Sequence, residues 1–175
     1  MTQGYIFLGV DDTNSVVNIT SAYALSISLK LADPTRETCV VVSSFHDVPK
    51  KYEDGFDYIV ELPFKRTEIN HRDVLIDFWQ LYYCTPFDQT LFIDTQSIAV
   101  DNVDSLWEVA DFGCLEFASA RNFRGELDYH NSQFDVQRAN TIVPFDSGMI
   151  YFSKDLESSQ FFKVADPYFK NWRII

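Results

Sequence analysis

The first hundred residues carry four short apolar runs, each closing on polar or turn-forming residues: Tyr5 to Val10 (YIFLGV), Cys39 to Ser44 (CVVVSS), Tyr58 to Pro63 (YIVELP) and Leu91 to Ile93. Runs this short and this uniformly apolar suit strands buried on both faces. Helical segments lie between them. Asn18 to Leu31 is one, with Asn18 or Thr20 as its cap and Asp33-Pro34 as its stop. Its Leu25, Ile27, Leu29 and Leu31 also alternate as a strand would, but Ala22, Ala24 and Lys30 favour the helix. "FHDVPKKYEDGF" carries Pro and Gly and reads as a connection with one helical turn. A further helix is predicted from Asn70, its cap, to Thr85-Pro86, with Val74, Leu75, Phe78, Leu81 and Tyr82 at helical spacing. A short one follows Asp94, with Val103, Leu106, Trp107 and Ala110 on its apolar face. Strands alternating with helices predict a Rossmann-like α/β domain with a mostly parallel central sheet flanked by helices.

The chain changes character after Gly113. Cys114 to Ala120, Thr141 to Val143 and Met149 to Phe152 read as strands, and a last helix starts near Glu157 or Ser158. Phe161, Ala165, Tyr168 and Trp172 fall on one side of it. Such a stripe suits core or a subunit interface, so a homo-oligomer formed through this helix is one expectation.

A chain of 175 residues suits one domain, taken here as 1–175. Its 46% hydrophobic content supports a sizeable core. A net charge of −12, with no Lys/Arg stripe, argues against nucleic acid as a partner. No apolar run reaches the roughly 18 residues of a membrane span, and the start lacks the basic stretch and cleavage site of a secretory leader. Cys39, Cys84 and Cys114 form no CxxC and are odd in number, which suits reduced thiols and a cytoplasmic location. His46, His71 and His130 lie too far apart in sequence for zinc spacing. GxGxxG, GxxxxGK[ST] and GxSxG are all absent.

The candidate chemistry centres on Asp94-Thr95-Gln96, directly after the fourth strand, with Asp11-Asp12 after the first. In an open parallel sheet, ligands bind beyond the carboxyl ends of the strands. A nucleotide diphosphate beside carboxylates requires a hard cation, Mg²⁺ or Mn²⁺, bound by oxygen ligands. On an extended turn, residues one apart point the same way and can share the ion. Gln96 offers only a neutral amide oxygen. Losing one charge beside a divalent ion costs several kcal/mol at an effective dielectric of about 20, before solvent compensates. Asp101 and Asp104 are near in sequence, but Asp104 is placed to cap the next helix.

"TPFDQTLFIDTQSIAVDNVDSLWE" resembles the stretch of glycogenin-like, GT-A-fold glycosyltransferases that runs from a helix end into a strand, an Asp-x-Asp and an "N-[IV]-D-x-L-[FW]" helix, here Asn102 to Trp107. "FDSGMIYF", Phe145 to Phe152, resembles the family's "F-N-S-G-[VL]-x-x-[FY]" strand. "SAYALSISLKL" looks like the helix after the family's first strand, and "ARNFRGELD", Ala120 to Asp128, is similar to a segment of transferase-like proteins encoded by tailed phages. The resemblance implies a single GT-A-like domain, shortened at its C-terminus, with a UDP-sugar donor, a Mn²⁺ or Mg²⁺ ion, retention of configuration and an unknown acceptor. By position, Asp94 is the first metal carboxylate, and Gln96 replaces the second. Gly9, Val10, Asp11 and Asp12 line the base and ribose, Thr95 belongs to the donor turn, and Asp146, Ser147 and Gly148 face the sugar.

Several positions depart from the family pattern. Asn18 stands about where a tyrosine often stacks on uracil. The lysine of the helix before Asp-x-Asp has no match among Arg72, Asp77 and Gln80. The family's later segment, with a metal-binding histidine, has no counterpart before Ile175. Arg121 and Arg124, or Lys50, Lys51, Lys65 and Arg66, could hold phosphates directly. No base is assigned; Glu116, Asp128 and Asp146 are the carboxylates to test. Two readings follow: a sugar transferase with an altered metal site, or a catalytically inactive relative that binds nucleotides or proteins.

Overall fold

A computed structural model describes the backbone of residues 1–10, 15–64, 79–108, 115–119 and 145–171, and the side chains of 1–10, 18–64, 79–107 and 148–164. The elements run β1 (Gln3–Leu8), α1 (Ser15–Ala32), β2 (Glu37–Val42), a 3₁₀ turn (Phe45–Asp47), α2 (Lys50–Glu53), β3 (Tyr58–Glu61), α3 (Leu81–Cys84), β4 (Gln89–Ile93), α4 (Ser105–Glu108), β5 (Leu115–Ser119), β6 (Phe145–Ser153) and α5 (Leu156–Asn171). The six strands form one sheet in the order β3-β2-β1-β4-β6-β5. β1 to β4 pair in parallel, and β6 runs antiparallel to both β4 and β5. The mostly parallel α/β sheet expected from the sequence is the one found.

Strict alternation along the strands builds a core on each face of the sheet. Tyr5, Phe7, Val40, Val42, Leu91 and Ile93 face α1, whose Ile19, Ala22, Leu25 and Leu29 cover them. Ile6, Leu8, Cys39, Val41, Phe92, Ile150 and Phe152 face the other way, against Leu81, Cys84, Phe87 and Phe162. The strand-like alternation in α1 has no structural consequence. Leu25 and Leu29 are buried, whereas Leu31 is 81% exposed, the pattern of a helix docked on one side.

The helix begins at Ser15, ahead of the expected Asn18 or Thr20 cap. Asn18 therefore lies inside its first turns, where its side chain has another partner. Asp33 follows the helix as foreseen. α5 starts after Asp155, whose carboxylate accepts the Ser158 N–H at 2.8 Å as an N-cap and also meets the Ser153 hydroxyl. The predicted helix from Asn70 is described only at its end, as α3 closing at Thr85; the part before Trp79 lies outside the described residues, as does the expected strand at Thr141 to Val143.

The Asn102-to-Trp107 motif has a structural meaning here. The Asn102 side chain donates to Asp104 Oδ2 and accepts the Asp104 N–H, which fixes the entry to α4. Trp107 then enters the core and donates its indole N–H to Tyr5 Oη at 2.9 Å. Tyr5 in turn donates to Asp33 at 2.7 Å. Arg36 closes the network with bonds to Asp33, Asp104 and Gln3, its guanidinium lying 4.8 Å from the centre of the Trp107 ring. The buried Tyr5 hydroxyl, Trp107 indole N–H and Asp33 carboxylate are all hydrogen-bonded, which is the condition for burying them.

Candidate functional site

The strand order reverses between β1 and β4: β2 lies on one side of β1, β4 on the other, and the chain reaches both by crossovers. Such a switch point leaves a crevice beyond the carboxyl ends of the two strands. The register fixes what lines it. Ile6 pairs with Phe92, so two residues further Leu8 stands level with Asp94. Ile93 pairs with Met149 on the antiparallel β6, and the Asp94 N–H extends that ladder to the Gly148 carbonyl at 2.7 Å. The exit of β1 at Gly9-Val10, the Asp94 turn and Gly148 thus meet at one edge of the sheet. These three places belong to the three donor segments expected from the sequence.

Each is held from behind. Gly9 is buried and donates its N–H to the Val41 carbonyl at 2.8 Å. A Cβ on it would lie 2.8 Å from Ile19 Cδ1 and 2.9 Å from Val40 Cγ2, so its smallness serves the seating of α1 on the sheet. Val10 is buried as well, and its carbonyl accepts the Asn18 side-chain N–H at 2.8 Å. No local pattern marks this contact, because it joins the end of one element to the inside of the next.

The Asp94 segment is a tight turn and not the extended one expected. Ser97 donates its N–H to the Asp94 carbonyl at 3.1 Å, placing Thr95 and Gln96 at the centre of the turn. Asp94 Oδ1 faces the Gln96 N–H at 3.4 Å, as in an Asx turn. Asp94 is half-buried, Thr95 buried and Gln96 exposed. The period-two argument for a shared ion therefore does not apply; Asp94 and Gln96 come near each other through the turn itself.

Asp104 offers no second carboxylate to this site. It is engaged with Arg36 and Asn102 at the opposite end of the sheet, beside the start of β2, and Asp101 accepts the Asn102 N–H next to it. Gln80 is buried and exchanges two hydrogen bonds with the Phe64 backbone, so its role is to hold the exit of β3. Lys50 and Lys51 lie on α2, past the carboxyl end of β2, and Lys51 Nζ stands 4.6 Å from the centre of the Tyr52 ring. Asp11, Asp12, Lys65, Arg66, Arg72, Asp77, Arg121, Arg124, Asp128 and His130 lie outside the described residues, and for Glu116, Asp146 and Ser147 only the backbone is described. Among the described residues, no group of three or more His, Cys, Asp or Glu could hold a metal. A shallow depression bordered by Gln3, Thr35, Arg36 and Glu37 lies at the amino ends of β1 and β2, away from the switch point.

No protein-family model and no curated protein matches the sequence. The structure, however, is similar to solved glycosyltransferases. GlyE of Streptococcus pneumoniae TIGR4 superimposes with a TM-score of 0.62 at 14% identity, over 100% of this chain and 40% of that one. The galactosyltransferase LgtC, solved in complex with donor and acceptor sugar analogues, gives 0.58 at 12% identity, over 96% of this chain and 69% of that one. The bifunctional glycosyltransferase WbbM gives 0.50 at 14% identity, over 92% and 33%. The fold is thus GT-A-like. The chain spans about two fifths of the length of GlyE. Among the described residues no helix is long and apolar enough to cross a membrane.

Proposed function

We propose that this chain binds a nucleotide-diphospho-sugar, with a UDP-sugar as the first donor to test, and supports transfer of the sugar to an acceptor. The observation that carries the reading is that the β1 exit and the Asp94 turn, bonded to Gly148, stand side by side at the carboxyl ends of β1 and β4, the switch point of a GT-A-like sheet. The base and ribose lie against the exit of β1, the diphosphate against the Asp94 turn, and the sugar against the Asp146-to-Gly148 end of β6. The likeness of Ala120 to Asp128 to tailed-phage proteins supports a phage-encoded member of this fold.

The donor set at the turn, one carboxylate and one neutral amide oxygen, fits a weakly held Mn²⁺ or Mg²⁺, with Asp94 and Gln96 as protein ligands. When bound, such an ion stabilises charge on a leaving diphosphate. The chain's own part is orientation: the Asp94 backbone is fixed by Gly148 and Ser97, so its carboxylate leaves the sheet at a set place. Arg121 and Arg124 are proposed as further phosphate contacts. Calorimetric titration of UDP-glucose and UDP-galactose, with and without Mn²⁺, tests the reading on the wild type and on Asp94→Ala. Metal-dependent binding that disappears in the variant supports it; no binding of either donor under either condition overturns it.

Donor binding without transfer is the second reading. It is favoured by the neutral, exposed Gln96 and by the Asp94 carboxylate lying against its own turn. Release of UDP from a bound UDP-sugar in the presence of Mn²⁺ separates the two.

A further inference from the structure

From α1, the Asn18 side chain donates Nδ2–H to the Val10 carbonyl, at the exit of β1, at 2.8 Å. The bond ties the first helix to the end of the first strand, beside the switch point. Three features make it more than a local contact. Val10 is buried, so its carbonyl needs a donor from within the protein. The peptide unit that follows Val10 is planar, so fixing its oxygen fixes the orientation of the whole unit. Asn18 is itself held on a helix whose next residue, Ile19, is fully buried against the sheet and faces Gly9. The amide is therefore anchored on a rigid element, and its target is the backbone at the β1 exit.

We propose that Asn18 is a positioning residue for the nucleotide. It sets the backbone at the β1 exit in the orientation that receives the base and ribose, and it touches no ligand itself. This rests on the donor-binding reading given above. An aromatic residue at this place would offer a stacking face, whereas asparagine offers a donor to the backbone; the position here serves the β1 exit.

The test uses the full chain and UDP as the probe, titrated calorimetrically in Mn²⁺, beside thermal melts by circular dichroism. Asn18→Leu keeps the bulk and neutral charge but removes the donor. Asn18→Gln keeps an amide donor on a longer arm. Thr20→Ala, on the same helix and bonded to Tyr52, serves as control. The expected result is a UDP Kd weakened about tenfold in Asn18→Leu, with a melt lowered by several degrees because the Val10 carbonyl loses its donor, but still cooperative. Asn18→Gln should recover most of that loss. Wild-type affinity in Asn18→Leu overturns the inference while the donor reading stands. So does a loss of affinity that appears only with a collapsed melt and is not restored by Asn18→Gln. Failure of the wild type to bind UDP overturns the donor reading, and this inference falls with it.

Discussion

The Asp94 N–H reaches the Gly148 carbonyl at 2.7 Å, one step beyond the last residue pair of β4 and β6. Two segments more than fifty residues apart in sequence are thereby locked at the mouth of the crevice. Because the backbone makes this bond, side-chain changes at the turn should alter its chemistry and leave its place unchanged. Gln96→Asp is the informative change. Gln96 is exposed and its side chain caps nothing among the described bonds, so the second carboxylate should be tolerated by the fold. It restores the charge whose absence weakens the ion, and Mn²⁺ affinity should rise by an order of magnitude or more. Titration of Mn²⁺ in the presence of UDP reads this directly, and an unchanged affinity would show that the ion does not sit at this turn.

Gly9 offers a prediction about stability. A methyl group there would press on Ile19 and Val40, both closely packed core residues. Overpacking of this kind costs about 1–3 kcal/mol. Gly9→Ala should lower the urea midpoint accordingly, and Gly9→Ala combined with Ile19→Val should recover part of the loss by making room. Equal stability of Gly9→Ala and wild type would mean that α1 sits further from the sheet than described.

The strands were legible because apolar runs bounded by turn residues carry their own signal. The helix-versus-strand ambiguity at Leu25 to Leu31 was resolved in favour of the helix by the residues between them. The caps were harder: Asn18 looks like a helix start by type, yet its amide serves the β1 exit, and only the packing of α1 on Gly9 reveals that. Asp94 was placed correctly at a strand end, but its turn geometry was not legible, since period-two reasoning holds only while the backbone stays extended. The burial of Gln80 and the binding of Asp104 to Arg36 depend on contacts between residues far apart in sequence, and no local pattern announces them.

Burial, with a smaller contribution from Cys84, pushes the Cys39 thiol well above the ordinary cysteine range. Both thiols are buried. A protonated, enclosed thiol is a poor nucleophile. Iodoacetamide should therefore leave Cys39 and Cys84 unmodified in the native protein at pH 7.5 and alkylate both in urea, as read by peptide mass spectrometry. Rapid native labelling of Cys39 would contradict the packing of β2 between the two cores.

Asp33 gives the chain a defined acid limb. Burial alone would raise its carboxyl, but the hydrogen bonds from Arg36, Tyr5 and Thr35 and the Arg36 charge outweigh it, and the group is held below the usual carboxylate range. Tyr5, by contrast, is pushed up by burial and by its bond to Asp33, so it stays protonated and continues to donate. A carboxyl whose value is lowered on folding contributes stability above its unfolded value of about 3.9. That contribution is lost as pH falls through the lower, folded value, because protonation removes the charge that Arg36 and Tyr5 address. Asp33→Asn cannot ionise, so it should be less stable than wild type at pH 7, and the difference should shrink as pH falls from about 4 towards 2. Urea unfolding across that range, followed by tryptophan fluorescence from Trp107 and its neighbours, measures the gap. A gap that stays constant with pH would mean that the Asp33 charge is not what holds β1, α4 and Arg36 together.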